Sequence, residues 1–306
     1  MVGSGQDATQ ALRTFGFDLV GPASLLLAGT TPSDREDAVA LRLVAAGQLP
    51  TGVRLLWSTV FGDGKAVTAA ETTGGGHRLD YGSAASFWVA PGGRAIDMAA
   101  AHPRDSSVLR FLLDTVLWWT ALARGRFLLH ASCVEIDGGV LAILGGTGAG
   151  KTTLATELVL RGARLFSDDL LCFSDGAIAH PGPPFLNVPL ERLSRAALGS
   201  DLAQFTSTDG QREAWMVAHQ RSAGDLPVRA LIRLDRVSGD GLRIVADELS
   251  PLDLFPYAWD IPGAPGREGP RFAALADLVD VAGSLQLLAD PTTTPAELAA
   301  ALEAAL

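Results

Sequence analysis

The sequence predicts an α/β fold in which a core with parallel strands follows a smaller N-terminal α+β unit. Three stretches in tandem carry that prediction. Val140-Leu141-Ala142-Ile143-Leu144 is a continuous apolar run, the mark of a strand buried on both faces. Gly145 to Gly150 is a glycine-rich turn. Thr153 to Arg161 then has helical spacing, with Leu154, Leu158 and Val159 facing inward and Gly162 placed for a left-handed cap.

The turn reads Gly145-Gly146-Thr147-Gly148-Ala149-Gly150-Lys151-Thr152, which fits G-x-x-x-x-G-K-[ST], the phosphate-binding P-loop. Glycines let successive backbone N–H groups point at phosphate oxygens, and the following helix offers its positive end to the same anion. In this pattern Lys151 reaches the β and γ phosphates and the Thr152 hydroxyl meets the accompanying Mg²⁺. Thr153 completes the candidate nucleotide-binding set. The chain has two lysines, Lys65 and Lys151, so the one in this turn does not come from a lysine-rich background.

The totals bound the function. At 306 residues, 48% hydrophobic and 19% charged, the composition is that of a folded, soluble chain of one or two domains. A net charge of −10 argues against nucleic acid as the main partner, because neutralising a phosphate backbone requires a basic face. Cys133 and Cys172 make no disulfide framework and fall in expected core strands as buried thiols. The N-terminus lacks signal-peptide character, and the most apolar segment, Phe111 to Ala123, is too short to span a bilayer and contains Asp114. A cytoplasmic protein with no membrane partner is expected.

Taken in order, residues 1–104 form the expected N-terminal α+β unit and residues 105–306 the core domain. Asp18 to Leu27 reads as extended. Ser33 and Glu36 have capping-box spacing and open an expected helix through Val39, Leu41, Leu43 and Val44. Val53–Val60, Ala66–Thr72, His77–Tyr81 and Ala85–Ala90 read as strands of an antiparallel meander, with glycine turns between them. Ser106 to Ala123 is an apolar helix expected to link the two units, Trp118 and Trp119 serving as packing residues. Phe127–Val134 is expected to pair with Val140–Leu144 through the Asp137-Gly138-Gly139 turn. Leu170–Phe173 and Ala177–His180 form a hairpin, and a helix is expected over 190–198. Residues 206–224 are polar and lid-like. Val228–Leu234 and Leu242–Ala246 are further strands, and 257–270 is a loop. Thr294-Pro295-Ala296-Glu297 is a capping box with proline in the first helical position.

Asp168-Asp169 narrows the chemistry. The pair ends a strand that a right-handed crossover is expected to return beside Val140–Leu144, and ligands gather at the carboxyl ends of such strands. One carboxylate can hold Mg²⁺ and the other accept a proton from an attacking hydroxyl. Adjacent strand residues point to opposite faces, so a bend is needed for the two to converge. His130, in the strand Phe127–Val134, reads on its own as a structural hydrogen-bonding residue.

His130-Ala131-Ser132-Cys133-Val134, Gly138-Gly139-Val140-Leu141, the P-loop, Leu154-Ala155-Thr156-Glu157-Leu158, Arg161-Gly162-Ala163-Arg164-Leu165 and Asp168-Asp169 together resemble the catalytic domain of HPr kinase/phosphorylase. The run is more similar still to the HPr-kinase-like proteins of peptide natural-product clusters, including lasso-peptide precursor kinases. The resemblance implies a P-loop core of the HPr kinase C-terminal type and ATP- and Mg²⁺-dependent transfer of a phosphoryl group to a Ser or Thr hydroxyl of a peptide or protein. It implies Asp168 as general base, Lys151 as a catalytic contact, Asp169 and Thr152 as metal-associated, and His130 as an active-site residue near the phosphates. It leaves a homo-oligomer open. Thr153 stands where HPr kinases usually have Glu, their glycine- and asparagine-containing segment has no evident counterpart, and Arg212 is a loose match to a basic residue of the related kinases. A nucleotide-dependent peptide-binding ATPase and a small-molecule kinase are the other readings of the same residues.

Overall fold

The computed structural model describes residues 9–22, 38–189, 204–206, 212–216, 221–239, 241–264 and 266–306. The capping box at Ser33 and Glu36, the helix at 190–198, parts of the polar segment 206–224 and the Arg212 side chain lie outside what is described. The chain is a mixed α/β protein with large sheets and few helices, and it divides into two units.

The first unit, residues 1–126 with short pieces from 205–210 and 261–263, holds an eight-stranded sheet. Its strands are β1 (Thr9–Thr14), β2 (Phe17–Pro22), β3 (Val39–Leu43), β4 (Gly52–Val60), β5 (Ala66–Thr72), β6 (His77–Tyr81), β7 (Ala85–Val89) and β8 (Ala95–Ala100). Their spatial order is β1-β2-β3-β8-β7-β6-β5-β4, with β4 to β8 forming an antiparallel meander. The expected helix over 39–44 is instead β3. Val39 and Leu41 are buried while Ala40 and Arg42 are exposed, the two-residue period of a pleated strand. Ser106–Phe111, the π-helical Leu112–Val116 and Leu117–Ala123 run on as one helix, α1. Phe111 stacks on Tyr81 at 4.7 Å and meets Phe87 at 5.6 Å, so α1 packs within the first unit, which runs through Arg126.

The second unit contains β9 (Phe127–His130), β10 (Ser132–Ile136), β11 (Gly139–Leu144), helix α2 (Lys151–Leu160), β12 (Arg164–Ser167), β13 (Leu170–Ser174) and β14 (Ile178–His180). There follow along the chain β15 (Phe185–Pro189), β16 (Gln204–Thr206, whose last two residues belong to the first unit), β17 (Arg212–Met216), β18 (Leu226–Arg236), β19 (Leu242–Ala246), β20 (Ala258–Trp259), helix α3 (Glu268–Val281), β21 (Gly283–Ala289) and helix α4 (Pro295–Ala305). The main sheet runs β12-β10-β11-β18-β14-β13-β9-β20, with β21 beside β18 and β19 beside β21.

Two local features set this topology. Ala131 splits the expected Phe127–Val134 strand, so β9 pairs with β13 while β10 pairs with β11 and β12. The β10–β11 hairpin closes through Asp137 and Gly138 at φ 50° and 72°, the positive pair a two-residue type I′ turn requires. That hairpin occupies the edge of β11, so β12 returns parallel to β11 but one strand away, with β10 between them. The direct parallel neighbour of β11 is β18.

Both faces of β11 are covered. Leu141 and Ile143 pack with Leu154 and Leu158 of α2 and Leu298 and Leu302 of α4. Val140, Ala142 and Leu144 pack on the other side with Leu275 and Leu278 of α3. This two-sided burial is why the run is apolar at every position. Cys133 and Cys172 are buried thiols, outside any disulfide, in β10 and β13. The expected 257–270 loop is shortened because α3 starts at Glu268, with Pro270 in the first turn, where a missing N–H costs no helical bond. The capping box forms as expected: Thr294 N donates to Glu297 Oε2 at 2.8 Å and Glu297 N donates to Thr294 Oγ1 at 3.3 Å. Among the described residues no helix is long and apolar enough to cross a membrane.

Candidate functional site

β11 delivers the glycine turn at its carboxyl end, and α2 begins directly after it. Gly148 and Gly150 have φ of 83° and 103°, conformations that suit glycine, and Gly150 is the residue preceding α2. At Gly145 a Cβ would lie 2.6 Å from the Leu234 carbonyl of β18, so the turn hugs its parallel neighbour too closely for any side chain. Arg236, at the end of β18, fixes the outer part of the turn. Its Nε donates to Ala149 O at 3.0 Å, and its Nη1 donates to Asp290 O at 3.1 Å and Thr293 O at 3.2 Å. Lys151 is buried, and its Nζ donates to the carbonyls of Gly145 at 2.8 Å and Gly146 at 3.3 Å.

A cleft of about 760 Å³ opens over this turn. Thr147 to Thr153, His130, Asp169, Asn187 and Arg236 line it, with the 291–295 segment as one wall. Of the residues expected from sequence, Gly145 and Gly146 lie behind the rim as acceptors for Lys151, and Asp168 lies beneath the cleft, 6% exposed.

The required bend is present. Asp168 and Asp169 follow β12, and Asp169 has φ 70°, which takes the second acid out of strand alternation. Asn187 of β15 then touches both acids: its N–H donates to Asp168 Oδ2 at 2.8 Å and its Nδ2 donates to Asp169 Oδ2 at 2.5 Å. Asp168 Oδ1 accepts from Ser132 Oγ at 2.7 Å and Thr152 Oγ1 at 3.0 Å. Burial and the neighbouring Asp169 charge push the Asp168 carboxyl up to about 6, against the three donors that favour its charged form. The Asp169 carbonyl accepts from Ala131 N at 3.2 Å and His130 Nδ1 at 2.9 Å. A carbonyl can only accept, so Nδ1 carries the proton and Nε2 is the basic nitrogen of the neutral ring. Burial, and then the Lys151 ammonium, hold the His130 pKa below its ordinary value.

These donors suit a nucleotide and Mg²⁺. The turn offers a buried lysine and a helix start, and the nearby hard oxygens include the Thr152 hydroxyl and the two carboxylates. Among the described residues no group of three or more His, Cys, Asp or Glu could hold a metal by itself.

Ser132, Asn187 and Arg236 touch the candidate site although the sequence reading gives none of them a role there. Ser132 follows His130 by two residues, a spacing that could have flagged it. Asn187 reaches the acids only through the placement of β15, which a lone asparagine after a proline-rich stretch does not announce.

No family model matches the chain. It is 34% identical over 67 residues to the HPr kinase/phosphorylase of Lachnoclostridium phytofermentans, a match covering 22% of this chain and 22% of that protein. The chain therefore spans about a fifth of the length of the curated relative it matches. Among solved structures, that of the Hpr(Ser) kinase/phosphatase from Coxiella burnetii aligns over 58% of this chain and 91% of its own, with 14% identity and a TM-score of 0.30.

Proposed function

We propose that this chain is an ATP-dependent P-loop kinase that transfers the γ-phosphoryl group to a Ser or Thr hydroxyl of a peptide or protein, a ribosomal natural-product precursor being the acceptor the sequence resemblance favours. One observation carries the reading: the hydroxyl that follows the invariant-type lysine of the motif, Thr152, is bonded to Asp168, which joins the glycine turn to the tandem acids in one site. The stretch of similarity to an HPr kinase/phosphorylase supports the same class.

In this reading the turn's N–H groups and the start of α2 bind the phosphates, and Lys151 exchanges the two loop carbonyls for phosphate oxygens. Thr152 and a carboxylate of the pair would hold Mg²⁺, which supplies charge against the phosphate oxygens. The other carboxylate orients the acceptor hydroxyl and takes its proton, a contribution of roughly 10²–10⁴-fold. His130, neutral and anchored on the turn that carries the acids, offers a hydrogen bond at the cleft wall.

Incubating the protein with γ-labelled ATP, Mg²⁺ and a candidate precursor peptide tests this. Label on a Ser or Thr of the peptide is the expected result. Free phosphate alone would establish an ATPase instead, and label on an amino acid or sugar a small-molecule kinase.

A further inference from the structure

Resting on the kinase reading, the geometry points to Asp169, held by Asn187, as the carboxylate that meets the acceptor, with Asp168 as the one that serves Thr152 and the ion. This is the opposite division of labour to the one the sequence resemblance implies.

The two acids differ in access. Asp168 is 6% exposed and absent from the cleft lining, and both of its oxygens accept bonds from the protein: two hydroxyls on Oδ1 and the Asn187 N–H on Oδ2. An acceptor hydroxyl entering the cleft does not meet it. Asp169 is half-buried and lines the cleft beside His130, Thr152 and Asn187. The acid bonded to the P-loop hydroxyl is the one stationed for the cation in enzymes built around this loop, and here that acid is Asp168. The left-handed backbone at Asp169 turns its side chain toward the cleft, and the Asn187 amide on Oδ2 fixes where it stands. Asn187 is thus a positioning residue. Its backbone N–H steadies Asp168 and its side chain steadies Asp169.

In the transfer step the acceptor oxygen bonds to the γ-phosphorus as the bond to the β–γ bridging oxygen breaks. The electron pair leaves with ADP, and the acceptor proton passes to the Asp169 carboxylate. Water can stand in for the acceptor, so basal ATP hydrolysis reads the same arrangement.

The test uses the full chain with Mn²⁺ and ADP as binding probes, followed by electron paramagnetic resonance, beside phosphate release from γ-labelled ATP. Asp168→Asn is expected to weaken Mn²⁺ binding in the ADP complex at least tenfold. Asp169→Asn should leave that affinity within about threefold of wild type and lower turnover roughly a hundredfold or more. Asn187→Ala keeps the backbone donor and so guards against a misfolded Asp168 variant. It should lower kcat at least tenfold with KM for ATP and Mn²⁺ affinity unchanged. The reverse pattern, with Asp169→Asn losing the ion and Asp168→Asn binding normally without turnover, overturns the assignment. So does an Asn187→Ala variant that loses ion affinity in step with rate. Failure of the wild type to bind Mn²⁺ and ADP at all removes the kinase reading itself and the assignment with it.

Discussion

Asp168 carries the largest electrostatic cost in the site, and the ligand-free protein should report it. Its carboxyl is raised from 3.8 to about 6, so the folded state holds a proton that the unfolded chain gives up. Below about pH 4 both states are protonated and nothing is lost. Between about pH 4 and 6 the unfolded chain ionises first, so stability falls as pH rises, by about 3 kcal/mol once both are charged. Denaturant unfolding at pH 4 and pH 7 should show that this loss shrinks in Asp168→Asn. A variant with the wild-type pH slope would mean the acid is not so burdened. Lys151→Ala addresses the other charge. Its ammonium sits within the turn on two carbonyls, and removing it should weaken ATP binding at least tenfold by calorimetry. Lys151, Asp168 and Asp169 stood out in the sequence from the P-loop pattern and the tandem acids, whereas His130 read on its own as structural and was singled out only by the resemblance. Asn187 was not, since it comes from β15, beyond the hairpin of β13 and β14, and makes its contacts only after the sheet has formed.

Elements with local signals came through from the sequence, hairpin pairings included, and those set by distant strands did not. Helix α4 starts where its capping box says, and Thr294→Ala should cost about 1 kcal/mol by removing the hydroxyl that accepts from Glu297 N and donates to Glu297 Oε2, measurable as a lowered denaturant midpoint. Strand β11 and the turn at Asp137 and Gly138 were equally plain, one from unbroken apolarity and the other from its turn chemistry. Strand β3 was mistaken for a helix because a capping-box spacing upstream outweighed the two-residue period of Val39, Leu41 and Leu43. The position of β12 was missed for a different reason. A helical crossover fixes the direction of the returning strand, and nothing in it reveals that the β10–β11 hairpin already holds the adjacent place.

At the level of the whole molecule, a ligand seated on the turn bears on much of the second unit. The turn joins β11 to α2, Arg236 ties it to β18 and to the segment before α4, and the acids tie it to β12 and β15. Binding should therefore register as global stabilisation of that unit rather than local ordering. ATP with Mg²⁺ at about a hundred times its dissociation constant should add about 2.7 kcal/mol, and a chelator added to the same sample should remove most of the gain. A thermal melt with ATP, with and without EDTA, checks both arms.

The interruption at Ala131 makes one short piece of chain into a ruler. His130 and Ser132 stand on either side of it, the first grasping the backbone of Asp169 and the second the side chain of Asp168. Lengthening the chain by a single residue there would put both grips out of step together. An extra residue in the nearby turn at Asp137 and Gly138, whose Gly138 Cβ position meets nothing within 4 Å, would leave them in place.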